Sequence, residues 1–206
     1  MPFFLISKYN VVMRKLYLLL FLVCTLSNLS VNAQDYSTMS DTVSLYYAEN
    51  DIDNAFNTAL MIPEEDRTAQ NWLLIGNILH DKGKNDEAIF MYNRAIQKDE
   101  SYYKGYYNLG VIYLEENRPN LAIEQFAKVK KLKKDYPYAF YNTGCAYLQL
   151  NEYKKARREF LNAIALKNTV PEFHYNLAYT YKQLKNEKNA GLYLKYYNEL
   201  ELNQIK

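Results

Sequence analysis

The sequence predicts an all-α protein built as an array of helix pairs, and two observations carry that prediction. Gly76, Gly110, Gly144 and Ala178 recur every 34 residues, and Ala88, Ala122, Ala156 and Ala190 recur with the same step twelve residues later. Bulky side chains keep that step too, lying three, four and seven residues apart within each unit, the spacing that gathers side chains on one stripe of an α-helix. A fixed period of this kind marks a repeat architecture, in which each unit buries its apolar face by stacking on its neighbours. Work in such a protein falls to a surface shared among units more than to one pocket.

The columns define two helices per unit. Trp72, Tyr106, Phe140 and His174 form one column of the first helix, with Ile75, Leu109, Thr143 and Leu177 in a second and Leu79, Tyr113, Tyr147 and Tyr181 in a third. The alanine column opens the second helix, followed by Tyr92, Phe126, Phe160 and Leu194, then by Ala95, Val129, Ala163 and Tyr197. Small residues at facing positions let two helix backbones approach while bulky neighbours fill the grooves. Gly83, Asn117 and Asn151 stand between the helices, and these residue types tolerate the left-handed backbone that closes a helix. Pro119, Pro137 and Pro171 fall where helices begin, positions whose amide needs no helical acceptor.

These residues resemble the tetratricopeptide repeat family, whose pattern sets Trp, Leu, Gly and Tyr on the first helix and Ala, Phe and Ala on the second. Trp72, Ile75, Gly76, Leu79, Ala88, Tyr92 and Ala95 carry it in one unit, and Tyr106, Leu109, Gly110, Tyr113, Ala122, Phe126 and Val129 in the next. The resemblance covers repeats at 69–102, 103–136, 137–170 and 171–204. It implies a right-handed superhelical array of antiparallel helix pairs, an α-solenoid, whose concave side is lined by the first helices. Glu100, Lys134 and Asn168 replace the proline the family often carries near the end of a repeat, and Pro137 and Pro171 follow shortly. Upstream, residues 34–68 read as a shortened, degenerate repeat carrying Leu45, Tyr46, Ala48, Ile52, Ala55, Phe56, Ala59 and Leu60, with Asp51 capping its second helix and Pro63 ending it.

Residues 1–33 differ in character. Met13, Arg14 and Lys15 precede an apolar run from Leu16 to Leu26, and Ala33 precedes Gln34, the charged start, short apolar core and small exit residue of a secretory signal peptide. The run is far shorter than the ~20 residues a membrane-spanning helix needs. The protein is therefore expected to be exported, periplasmic or secreted, with no integral span after signal removal; Met13 offers an alternative start. Val23 before Cys24 is bulkier than lipid attachment prefers. With Cys24 gone, Cys145 is the one thiol, and its place beside Gly144 on a first helix reads as a small apolar filler.

Charge excludes one class of partner. The first 33 residues hold three bases and no acid, leaving 22 bases against 23 acids in the rest, so no nucleic-acid footprint survives. The balance is uneven: residues 34–102 carry five bases against thirteen acids, and 103–170 carry twelve against six. Lys128, Lys130, Lys131, Lys133 and Lys134 end one second helix, and Lys154, Lys155, Arg157 and Arg158 begin another. They read as a solvated face, or as a dock for an acidic partner or anionic lipid. His80 and His174 lie in different repeats without a ligand-spaced cysteine or carboxylate, and no nucleophile elbow, zinc-protease, dithiol or phosphate-loop motif occurs. No enzyme, cofactor or metal is expected.

The remaining signal lies on the first helices. Their groove-lining places hold Leu73, Leu74 and Asn77; Lys104, Tyr107, Asn108 and Val111; Tyr141, Asn142 and Cys145; and Tyr175, Asn176 and Tyr179. This is a tyrosine–asparagine ladder. Asparagine offers a donor and an acceptor in one plane, able to grip amide groups of an extended peptide, and tyrosine supplies amphipathic contact area. Family members that grip carboxylate tails use Lys and Arg in this groove, where Lys104 alone is basic here. The expectation is a non-catalytic adaptor or scaffold of the cell envelope or secreted space that captures an extended peptide or a partner helix. The alternatives are a regulatory subunit of an envelope complex, or a self-associating protein, a homodimer through the last helix at Leu192, Tyr193, Tyr196 and Leu200.

Overall fold

The computed structural model describes residues 35–204; the signal-peptide reading of residues 1–33 lies outside them. Helices and turns make up the whole of the described region, which is all-α. In chain order they are α1 (residues 35–48), α2 (Ile52–Met61), α3 (Ala69–Asp81), α4 (Asn85–Lys98), α5 (Tyr103–Glu115), α6 (Pro119–Leu132), α7 (Pro137–Gln149), α8 (Tyr153–Leu166), α9 (Pro171–Gln183) and α10 (Glu187–Gln204). Two compact units divide the chain, one ending at Asn71 and the other beginning at Trp72.

In the first unit, Asn50 takes a left-handed backbone with φ 60° between α1 and α2. Asp51 caps α2, accepting the Asn54 amide at 3.3 Å, and Val43, Ala55, Ala59 and Ile62 form its core. The carbonyls that end α2 have no partner within the helix. Arg67 supplies one: its buried guanidinium donates from Nε to the oxygens of Ile62 (2.9 Å) and Ala59 (3.2 Å), and from Nη2 to that of Leu60 (3.1 Å). Thr68 and Asn71 then start α3 with a reciprocal cap, the Asn71 amide donating to Thr68 Oγ1 (3.1 Å) and the Thr68 amide to Asn71 Oδ1 (2.9 Å).

The second unit is governed by the small columns. A Cβ built on Gly110 or Gly144 would stand 2.5 Å from the ring of Phe126 or Phe160, and one on Gly76 would stand 2.5 Å from that of Tyr92. The three rings lie against bare backbone and are buried. Ala88, Ala122 and Ala156 on the opposing helices are fully buried as well, so each pair meets through its smallest side chains.

Each pair is closed by one turn. Gly83, Asn117, Asn151 and Lys185 have φ of 73°, 55°, 59° and 58°. The next amide folds back over the helix end, from Lys84 to Leu79 O (2.9 Å), Arg118 to Tyr113 O (2.7 Å), Glu152 to Tyr147 O (2.8 Å) and Asn186 to Tyr181 O (2.9 Å). This is the bond that satisfies a stranded carbonyl at a helix C-terminus. Pro119, Pro137 and Pro171 occupy the first turns of α6, α7 and α9.

Candidate protein-interaction surface

The asparagine column joins successive repeats. Asn108 donates from Nδ2 to Asn77 Oδ1 (2.6 Å), Asn142 to the Tyr107 hydroxyl (3.1 Å) and Asn176 to the Tyr141 hydroxyl (2.8 Å), with Cys145 Sγ 3.7 Å away. The Tyr92 hydroxyl also donates to Asn77 Oδ1, at 3.0 Å. Each of these asparagines is half-buried. One amide hydrogen is therefore committed to the neighbouring repeat, while the Oδ1 atoms of Asn142 and Asn176 accept from no other group among the described residues.

Aromatic rings back this polar ladder. Tyr107 meets Phe126 and Tyr136 with centroids 5.9 and 5.2 Å apart, and Tyr141 stacks on Phe173 of the following repeat at 4.7 Å with 26° between planes. Burial raises the hydroxyl pKa values of Tyr107, Tyr136 and Tyr141 above the ordinary tyrosine value, so they act as neutral hydrogen-bonding groups. Burial also pushes the Cys145 thiol up to about 11, which keeps it protonated and unreactive at neutral pH.

The sequence-predicted groove residues are not equally available. Tyr175 and Tyr179 are exposed on α9 and Lys104 on α5, whereas Tyr107, Val111, Tyr141 and Cys145 are half-buried. At the last helix, Leu192 and Tyr196 are exposed and Leu200 is half-buried. Tyr193 stacks on Tyr181 (5.6 Å, 14°) and lies 6.0 Å from the His174 ring, and Tyr196 approaches His174 at 5.8 Å. His174 itself is buried and bonds through Nε2 to Asn168 O at 2.8 Å. It is a packing residue of the last repeat.

Four of the nine residues of the basic cluster are engaged in ion pairs. Lys130 reaches Glu159, which is buried, at 3.0 Å, and Arg158 binds its other oxygen at 3.2 Å. Lys133 pairs with Asp135 and Lys155 with Glu152. His80 bonds Glu115, one repeat further on, at 2.7 Å. Among the described residues no group of three His, Cys, Asp or Glu side chains is placed to hold a metal ion, and no helix is long and apolar enough to cross a membrane.

Two family models match the chain, one described as TPR repeat over residues 76–117 and 144–185, the other as Tetratricopeptide repeat over 103–136 and 171–201. Together they span more than half of it. The chain belongs to the tetratricopeptide repeat family. No curated protein matches it. Among solved structures, it is similar to a crystal structure of MamA, with a TM-score of 0.70 and 21% identity over 79% of this chain and 96% of that one. MamA MSR-1 gives 0.68 and 19% over 82% and 98%, and a double mutant of MamA RS-1 gives 0.73 and 16% over 82% and 96%. At these identities the likeness establishes a shared solenoid fold. Tetratricopeptide repeats of this kind form a protein-interaction scaffold.

Proposed function

We propose that the first helices of residues 72–204 bind a neutral or mildly polar extended segment, or a partner helix, and that the protein does this as a non-catalytic adaptor after export to the envelope or beyond. The ladder of Asn108, Asn142 and Asn176 is the observation that supports this reading. Its amides are anchored at one edge by tyrosine or asparagine of the preceding repeat, which fixes their orientation, and the Oδ1 atoms of Asn142 and Asn176 are left to accept from a guest. A preset amide plane binds at lower entropic cost than a free one. Export rests on the charged start and short apolar core of residues 1–33.

Alanine at these positions would remove inter-repeat bonds as well as groove chemistry, each worth about 0.5–1.5 kcal/mol. Two double variants separate these effects, Asn142→Ala with Asn176→Ala and Tyr107→Phe with Tyr141→Phe: both break the same inter-repeat bonds, and only the first removes the amide oxygens. Affinity capture from the envelope should recover about tenfold less partner with the asparagine variant than with the tyrosine one. Equal recovery would remove the groove from consideration.

A further inference from the structure

Repeat 4 carries a face that earlier repeats keep covered. Between α9 and α10 lies a cavity of about 360 Å3 lined by Tyr175, Ala178, Tyr179 and Leu194 together with Lys182 and Glu187. Tyr175, Tyr179 and Leu194 are 51%, 45% and 44% exposed. Their counterparts one repeat earlier are covered: Phe160, in the place of Leu194, is fully buried, and Tyr141, in the place of Tyr175, stacks on Phe173. Lys182 and Glu187 are exposed and form no ion pair among the described residues. Tyr193 and Tyr196 close on His174 instead, leaving Leu194 to line the cavity.

We infer that this face is a twofold contact between two copies of the chain. A partner of a single charge sign would satisfy Lys182 or Glu187 and oppose the other. A second copy related by a twofold axis brings Lys182 of each to Glu187 of the other, while the paired tyrosines and Leu194 close over the opposing cavity. One patch serving both sides with reciprocal contacts is what an isologous interface requires. Tyrosine suits the site, since its ring buries apolar area while its hydroxyl stays hydrogen-bonded. The contact shares Tyr175 and Tyr179 with the groove, but it is read by mass and by Lys182 and Glu187, whereas the groove is read by partner capture and by Asn142 and Asn176, so the two readings fail separately.

The test is light scattering on the full chain over a range of concentration. Twice the monomer mass is expected at high concentration, falling on dilution and on addition of salt. Lys182→Glu and Glu187→Lys should each weaken association about tenfold or more, and the double reversal should restore it, with helical circular dichroism unchanged because both side chains are exposed. Tyr196→Glu should leave the dimer intact. A single mass at all concentrations, a mass that grows without limit, a dimer indifferent to salt, a double reversal that does not recover, or dissociation by Tyr196→Glu would each overturn the inference.

Discussion

Repeats 3 and 4 share one register and one turn geometry yet are packed by different rules. In repeat 3, Phe160 lies over Gly144 and is sealed from solvent. In repeat 4 the same two places hold Ala178 and Leu194, and Leu194 is exposed. A flat ring needs bare backbone beneath it, whereas a leucine set at the edge of a cavity leaves room for the extra methyl of alanine. The glycine column is thus a consequence of the aromatic column, and it lapses where the ring is lost. The comparison also shows that the period alone does not say how well a unit is packed.

Three measurements test that contrast. Phe160→Ala should destabilise the protein by about 3–5 kcal/mol, while Leu194→Ala should cost under about 1 kcal/mol; similar losses in denaturant unfolding would mean that the two repeats are packed alike. Gly144→Ala places a methyl against the Phe160 ring and should cost about 1–3 kcal/mol by overpacking. The mirror change Ala178→Gly meets no ring and should cost only the helix-propensity difference of about 1 kcal/mol. The smallest effect is a gain. Lys185 adopts φ 58° at a place filled by Gly83, Asn117 and Asn151 elsewhere, and Lys185→Gly should raise stability by up to about 1 kcal/mol, read as a higher unfolding midpoint.

Much of this architecture is legible from residue types. The turn positions Gly83, Asn117 and Asn151 announce their left-handed backbone, and the prolines announce three helix starts. Lys185 takes the same conformation without any chemical sign of it, because the surrounding helices impose it. The groove column is legible as a list of side chains but not as a bonding pattern. Asn142 meets Tyr107 and Asn176 meets Tyr141 at a separation of 35 residues, and Lys130 meets Glu159 at 29. Such offsets depend on how repeats stack, which the 34-residue period does not contain. Arg67 was equally silent, since an arginine after a proline gives no notice that it will close three carbonyls of the preceding helix. The basic run looked like one surface, and the structure divides it between ion pairs such as Lys130 with Glu159 and exposed residues such as Lys128 and Lys131.

The links that step across repeats also bear on how such a chain can be lengthened or shortened. Asn176 needs a tyrosine hydroxyl 35 residues upstream, and Gln149 uses the Leu114 carbonyl at the same remove. Excising residues 137–170 would bring Asn176 to Tyr107, Phe173 to the same ring and Gln183 to Leu114, so these three contacts find equivalent partners, whereas Lys130 would lose Glu159 and meet Tyr193 in its place. Loss of any other length would strand all three. The molecule can therefore change size by duplication or deletion in whole units, and the bonding grammar of the ladder survives the edit.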